Sequence, residues 1–598
     1  MSRFSISGLR DATIQVAEEA GPPVAFAAQE LQRYLHTMTG ATVPILPAAS
    51  LRGRDTLVLG QQAAPVPVSV EVGDGFVIQP EATSITLAAG SPGALLRAAY
   101  ALLEQFGCRW SLDAAHEHVP RLSVPAVEIG PTRYTPTFSV RGYCSDIMTW
   151  HYTQPEHLSE HLKEDRALVD WMAKSGANTF FFIRHPFDTQ LTIPELLPDF
   201  QRRGIDVEYG GHVIPLLLPR EVYRDHPEYF PQSSDGVRTD NGNLCTSSAG
   251  ALVTASTNAV QYVREHPEMR AVHIWGADLW QGGWCGCAGC AATSVQDQGV
   301  RVCNAVARAL VDAGVARPVC YLAYHDTIEP EITVRPEPNV TVEFAPRERC
   351  YGHALNDPDC RTNRGYAAAL ERYVELFDGH VRLFEYYGDA ILFGGCAVPL
   401  GGVIAADMDY YKRLGVPEIT MLQFGAFSRW AYPLNFVTFA AALAGEVPET
   451  AVDGYWARFG AEAAVARAVF AELEAIVRRV VTYGDIRRPP RSAPAAARLL
   501  ERLESALPRL GEVVRKLEAF GDSALAAQGP LVRYTQMVIE GVQQELRQTL
   551  AGHPPHAEPQ YAQALQVVEG VDSRWKGVWG SVDLPIIHSF YNVAAVTT

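Results

Sequence analysis

The chain has no stretch of about 18 uninterrupted apolar residues, so nothing in it has the length and character of a membrane-crossing helix. Its first residues, MSRFSISGLRDATIQVAEEA, lack an apolar signal core followed by a small-residue cleavage site, and an intracellular, cytoplasmic protein is expected. Positive charge is in deficit: Lys plus Arg total 50 against 67 for Asp plus Glu, a net charge of −17. That sign repels phosphate backbones and anionic lipid, which excludes nucleic acid and membrane surfaces as expected partners. Nucleotide-binding loops are missing as well. The glycine-rich fragments Phe393-Gly394-Gly395 and Gly401-Gly402 have neither the G-x-G-x-x-G spacing nor a Lys-Ser/Thr ending. No G-x-S-x-G supports a serine nucleophile, and no cofactor is expected.

What is present is globular. Of 598 residues, 47% are hydrophobic and 20% charged, enough apolar material for two or three sizeable cores. Residues 1–130 read as an α+β unit, with an amphipathic helix near Pro23–Thr39 stopped by Gly40 and short strands punctuated by Gly and Pro. A proline-containing stretch, Pro120–Pro136, reads as a linker. Residues 137–435 alternate strand and helix. Eight apolar strand segments are predicted: Phe138–Gly142, Thr179–Ile183, Asp206–Tyr209, Ala271–Trp275, Val319–Tyr324, Val340–Phe344, Val381–Tyr386 and Glu418–Phe424. Helical patterns fill most of the gaps, which predicts an α/β fold, a (β/α)₈ TIM barrel. It should be irregular at Asp326–Asn339, where three prolines leave no room for a full helix. Residues 436–598 turn rich in Ala, Leu, Arg and Glu and predict a C-terminal α-helical domain, with Pro585–Val596 extended.

Barrel chemistry sits at the C-terminal strand ends. Here those ends carry Trp150 and His151, Arg184 and His185, His212, Asp278 and Trp280, Tyr324 and His325, Glu343 and Arg347, and finally Glu385, Tyr387 and Asp389. Carboxylates facing one another among Trp and Tyr rings suit glycosidic bond cleavage, which needs a proton donor, a second carboxylate or equivalent, and flat faces for sugar C–H groups. Asp278 and Glu385 are the expected catalytic pair, pointing into one pocket bordered by Trp280, Tyr324 and Tyr387. The other strand-end residues are expected to bind substrate. A plainer reading of Glu385 is a buried carboxylate paired with Arg382 or with an arginine that follows the sixth strand.

The segment Trp284-Cys285-Gly286-Cys287-Ala288-Gly289-Cys290 clusters thiols as C-x-C-x-x-C, a spacing able to bind zinc with Cys245 or Cys303 as fourth ligand. The commoner outcome is a tight loop of packed thiols or one local disulfide, and no metal is assigned to the site on sequence grounds.

The order of motifs also carries a resemblance. The stretch AAQELQRYLHTMTGATVPIL resembles the ancillary domain that precedes the barrel in α-glucuronidases of glycoside hydrolase family 67. The barrel segment resembles glycoside hydrolase family 163, through GGHVIPLLLP (210–219), HPEYFP (226–231), NLCTSS (243–248), WCGCAGC (284–290) and DMDYYKRLGV (407–416). The resemblance implies a hydrolase of β-linked N-acetylglucosaminides, retaining and assisted by the substrate's acetamido group, with Asp278 and His212 in shared motifs. An α-glucuronidase-like enzyme, with Arg184, Arg347 or Arg349 gripping a uronic acid, is the rival, and an inactive carbohydrate-binding barrel a third reading. The expected partners are an oligosaccharide or glycoside substrate and, at most, a second copy of the chain in a homodimer.

Overall fold

The computed structural model describes residues 2–5, 9, 11–47, 56–60, 73–112, 117–122, 126–145, 158–183, 193–279, 282–423, 425–445, 452–480, 489–521 and 523–553. The N-terminal part holds β1 (Ser2–Ser5), β2 (Thr13–Val16), α1 (Pro22–Thr39), β3 (Ile45–Pro47), β4 (Thr56–Gly60), β5 (Phe76–Pro80), β6 (Ser84–Ala89), α2 (Pro92–Gln105), β7 (Ala126–Ile129) and β8 (Thr132–Tyr134). Pro22 and Pro23 occupy the first turn of α1, where their missing N–H groups cost nothing, and Gly40 closes it in the left-handed region at φ 76°. One face of the helix buries Val24, Ala27, Leu31, Leu35 and Met38. The sheet order is β3-β2-β4-β6-β5-β8, and β1 pairs with β7 in a separate two-stranded sheet. The stretch read as a linker is therefore partly strand. Its prolines lie outside β7 and β8, whose antiparallel partners are β1 and β5.

The barrel strands are β9 (Val140–Ser145), β10 (Thr179–Ile183), β11 (Asp206–Gly211), β12 (Met269–Ile274), β13 (Val319–Ala323), β14 (Val340–Phe344), β15 (Val381–Gly388) and β16 (Glu418–Gln423). Each pairs in parallel with the next, and β16 returns to β9 to close the ring. Both faces of such strands are covered, which is why they read as apolar runs without alternation. The covering helices are α3 (Leu158–Ser175), α4 (Ile193–Gln201), α5 (Ala249–Glu265), α6 (Val295–Asp312), α7 (Arg361–Leu376) and α8 (Gly401–Leu414). Helix α4 was not expected. It is short and carries Pro198, a residue that argues against a helix in sequence.

Between β13 and β14 the expected irregularity is present: the connection holds a single 3-10 turn, His325–Thr327. Helix α6 supplies the hydrogen bonds that the missing helix would have satisfied internally. Asp297 Oδ1 accepts the N–H groups of Thr333 and Val334 at 2.8 Å each, and Asn304 Oδ1 accepts that of Glu337 at 2.8 Å.

Asp74 ties the N-terminal sheet to the barrel, accepting from Arg141 Nη2 at 2.8 Å, Asn178 Nδ2 at 2.6 Å and Ser91 Oγ at 2.6 Å. Burial alone would raise its carboxyl, but Arg141 and these donors hold it below the usual aspartate value. After the barrel come α9 (Pro433–Leu443), α10 (Ala463–Val477), α11 (Ala493–Glu518) and α12 (Gly529–Leu550), a helical region. Helix α12 docks on the loop behind β15: Tyr534 Oη donates to the Gly394 carbonyl at 2.8 Å, and Thr535 Oγ1 accepts from Ala397 N–H at 2.7 Å. Pro585–Val596 lies outside the described residues.

Candidate active site at the barrel mouth

A polar ladder runs along the barrel axis. Alternation along β15 turns Arg382 inward, where its guanidinium binds both oxygens of Glu208 on β11, 3.0 Å away at Nη2–Oε1. His273 on β12 stands above this pair, with Nε2 3.1 Å from Glu208 Oε2 and Nδ1 2.8 Å from Glu343 Oε2 on β14. Phe181 stacks on the imidazole at 3.7 Å between ring centres. Burial disfavours a charged imidazole, but Cys320 and the two flanking carboxylates outweigh it and raise His273 well above its ordinary value. Both ring nitrogens face carboxylate oxygens, an arrangement that favours the protonated ring. Arg382 likewise overcomes the burial that would raise Glu208 and holds that carboxyl low.

Glu343 is the upper end of the ladder and lies at the C-terminal end of its strand. Its Oε2 also accepts the Trp275 indole N–H at 3.1 Å, while Oε1 is buried without a protein hydrogen bond. Sequence reasoning identified Glu343 as a strand-end residue but did not find Glu208, His273 or Trp275. For Glu208 and His273 the signal was a charged or polar side chain within an apolar strand, which a barrel interior must pair.

Above the ladder lies the mouth. His212, one residue beyond β11, donates from Nδ1 to the Gly276 carbonyl at 2.6 Å, placing the lone pair of the neutral ring on Nε2. Nε2 stands 3.9 Å from Asp278 Oδ1. The Asp278 side chain is 50% exposed, so it is reachable from solvent. Its loop is set by Asn243, whose Oδ1 accepts Ala277 N–H at 2.7 Å and whose Nδ2 donates to the Gly282 carbonyl. Tyr324, His325, Asp326 and Trp284 line the same cleft as His212. Burial pushes the Asp326 carboxyl up. His325 sits at φ 50°, an uncommon conformation for a residue with a Cβ, and places Nδ1 2.5 Å from Glu348. Arg347 contacts Asp389 Oδ2 at 3.2 Å and lies over the Tyr386 ring. Asp389 is fully buried and also accepts Leu392 N–H.

The expected pairing of Asp278 with Glu385 is not what the structure shows. Three residues along β15 from Arg382, Glu385 has the opposite parity and points outward, into the layer between the strand and α8. Its Oε1 accepts from Arg349 Nη1 at 3.1 Å and from Tyr411, while Arg349 Nη2 binds Asp407 Oδ2 at 2.7 Å. Tyr387 shares that outward face, donating to Asp407 at 2.7 Å, and does not border the mouth. Glu385 is thus the buried carboxylate paired with an arginine following the sixth strand. Burial and the neighbouring Asp407 push it up to about 7 against the pull of Arg349 and Tyr411. Trp150, His151, Arg184, His185 and Trp280 lie outside the described residues.

The thiol loop is brought together with Cys245, from the loop after β11. The Sγ atoms of Cys245, Cys285, Cys287 and Cys290 all lie within 4.8 Å of one another, and all four residues are buried. Cys303, the other candidate, points instead to the Ile274 carbonyl.

The whole architecture is similar to solved glycoside hydrolases. A GH138 enzyme targeting pectin rhamnogalacturonan II matches at a TM-score of 0.53 and 9% identity, over 96% of this chain and 74% of that one. A family 89 glycoside hydrolase from Clostridium perfringens, in complex with 2-acetamido-1,2-dideoxynojirmycin, matches at 0.50 and 10% identity, over 96% and 77%. Identities this low establish a shared fold. No curated protein matches the sequence. Residues 144–471, more than half the chain and all but the first few residues of the barrel, match one protein family, and the chain belongs to it: the domain of unknown function DUF4838.

Proposed function

We propose that the protein is a glycoside hydrolase acting on N-acetylglucosaminides, β-linked in the first instance, with Asp278 as acid/base and Glu343 as the second carboxylate. The observation that carries this reading is a solvent-reachable carboxylate, Asp278, beside His212, whose ring lies 5.2 Å from that of Trp275, the residue whose indole N–H binds the buried Glu343. In the substrate-assisted route, the acetamido oxygen attacks the anomeric carbon while Asp278 protonates the departing glycosidic oxygen; Asp278 then takes a proton from the water that opens the cyclic intermediate. Glu343, near the axis, stabilises the positive charge that develops on the sugar ring. His212, beside Asp278, keeps the carboxylate oriented and carries charge when protonated. The occurrence of an acetamido-sugar analogue in a barrel of similar fold gives the sugar class further support.

The test is a panel of aryl glycosides in α and β pairs of N-acetylglucosamine and glucuronic acid. Turnover of the β-N-acetylglucosaminide, lost in D278N, is expected. Turnover of glucuronides alone would replace the sugar assignment with uronic acid binding near Arg347. Binding of sugars with no turnover of any glycoside would make the barrel a carbohydrate-binding protein.

A further inference from the structure

The four-thiol cluster lies outside the proposed catalytic groups, and its geometry points to a metal. We infer that Cys245, Cys285, Cys287 and Cys290 form a closed, structural zinc site that locks the loop after β11 to the loop after β12. In a regular tetrahedron with Zn–S bonds of about 2.3 Å, the sulfurs stand about 3.8 Å apart. Cys245 Sγ is 3.6 Å from Cys287 Sγ and 3.9 Å from Cys290 Sγ. A disulfide would require about 2.05 Å, and all four cysteines are free thiols.

The surroundings fit thiolates better than thiols. Gln232 N–H points at Cys285 Sγ at 3.4 Å, and Ser247 Oγ lies 3.1 Å from Cys245 Sγ and 3.4 Å from Cys287 Sγ. Thr246 Oγ1 is 3.5 Å from Cys290 Sγ. Such donors orient thiolate ligands. Zinc displaces the four thiol protons to solvent, and the resulting centre carries two negative charges. Arg238, which interacts with Cys245 and Cys287, faces that charge. Gly289 permits the enclosure, because a Cβ there would meet Ser247 Oγ at 2.7 Å. With four protein sulfurs, no position is left for water or substrate, so the ion is structural.

The two loops so joined carry His212 and Asp278, and Asn243, two residues before Cys245, makes the bonds that set the Asp278 loop. The site is the anchor for that arrangement whatever the substrate proves to be. A second thiol group, Cys350 with His353 and Cys360, offers three ligands among the described residues.

Elemental analysis of the full-length protein, purified under reducing conditions without chelator, is expected to give one zinc per chain. The C245S/C287S double variant should lose it, and C303S should keep it. Should the double variant fail to fold, cobalt exchange into the unaltered protein decides independently: thiolate-to-cobalt charge transfer with tetrahedral d–d bands is expected. The inference is overturned if the unaltered, reduced protein takes up neither zinc nor cobalt, if bound cobalt is octahedral, if iron fills the site, if the cysteines are found as disulfides, or if the folded double variant retains its zinc.

Discussion

Strand β15 carries two charged side chains three residues apart, and they serve different ends. Arg382 faces the barrel axis and belongs to a ladder that finishes at Glu343, near the mouth. Glu385 faces the helix layer, where it shares Arg349 with Asp407 and is sealed from solvent. Both surroundings are buried, ionic and rich in tyrosine or tryptophan, and both shift the titration of their carboxylates or bases. Glu343 and Glu385 are equally buried, and the difference lies in direction: one faces the barrel axis, the other the helix layer. A raised carboxyl value marks a candidate acid only where a substrate oxygen can reach it, and on the outward face of a barrel strand the same shift reports a shared proton in a structural cluster.

The sharpest way to break this comparison is to exchange the two glutamates for glutamine one at a time. E343Q removes the charge proposed to stabilise the sugar cation and is expected to lose about 10²–10³-fold in kcat/KM, with its far-UV spectrum unchanged. E385Q should stay within a few-fold of the unaltered enzyme. A reversal of that order in steady-state kinetics would return catalysis to the outer cluster.

Next in size is the cation of the outer cluster. R349M strands two buried carboxyl groups and should cost about 3–5 kcal/mol in urea unfolding near neutral pH, with recovery in E385Q/R349M, which leaves only one acid to neutralise. An R349M variant as stable as the unaltered chain would show that the cluster is not coupled as described.

A smaller effect separates the clusters by pH. The neutral form of Glu385 is favoured in the folded state, so between the ordinary glutamate value of 4.5 and about 7 the folded chain keeps a proton that the unfolded chain has released. Stability from this group is therefore fully present below that window and falls as pH rises through it, by at most about 1.4 kcal/mol per pH unit. Unfolding free energies measured from pH 4.5 to 7 should show a shallower decline in E385Q.

The smallest expected change is at the domain junction. Asp74 is held low in the folded state, so its contribution is present above the ordinary aspartate value and is lost as pH falls below it. D74N should cost about 1 kcal/mol near neutral pH, discounted for a side chain that solvent partly reaches, and should flatten the acid limb of the unfolding curve.

Much of the barrel was legible. Thr179–Ile183 and Val340–Phe344 are the strands their sequences predict to the residue, because buried parallel strands are apolar runs bounded by Gly, Pro or Asn. The same burial on both faces explains the misplacement of Glu385: with no hydrophobic alternation, nothing in VRLFEYYG says which face is inward. Only the pairing of Arg382 with Glu208 across the axis sets that parity. The fourth thiol was open for a similar reason. Cys245 and Cys303 were equivalent by spacing, and the packing of the loop before α5 on the loop before α6 decides between them. The edge strands β7 and β8 were missed because short, partly exposed strands between prolines carry the composition of a linker.

The connection between β13 and β14 has an implication for how the barrel is assembled in time. Its backbone has no helical ladder of its own, and Asp297 and Asn304 of α6 accept the amides of Thr333, Val334 and Glu337. The segment is therefore templated: until α6 is in place against the strands, these three amides have only water to bond, and folding that stretch early brings little reward for the chain entropy it would lose. Closure of this sector of the ring belongs after the docking of α6, which makes the helix a scaffold for a stretch of chain that lies downstream of it.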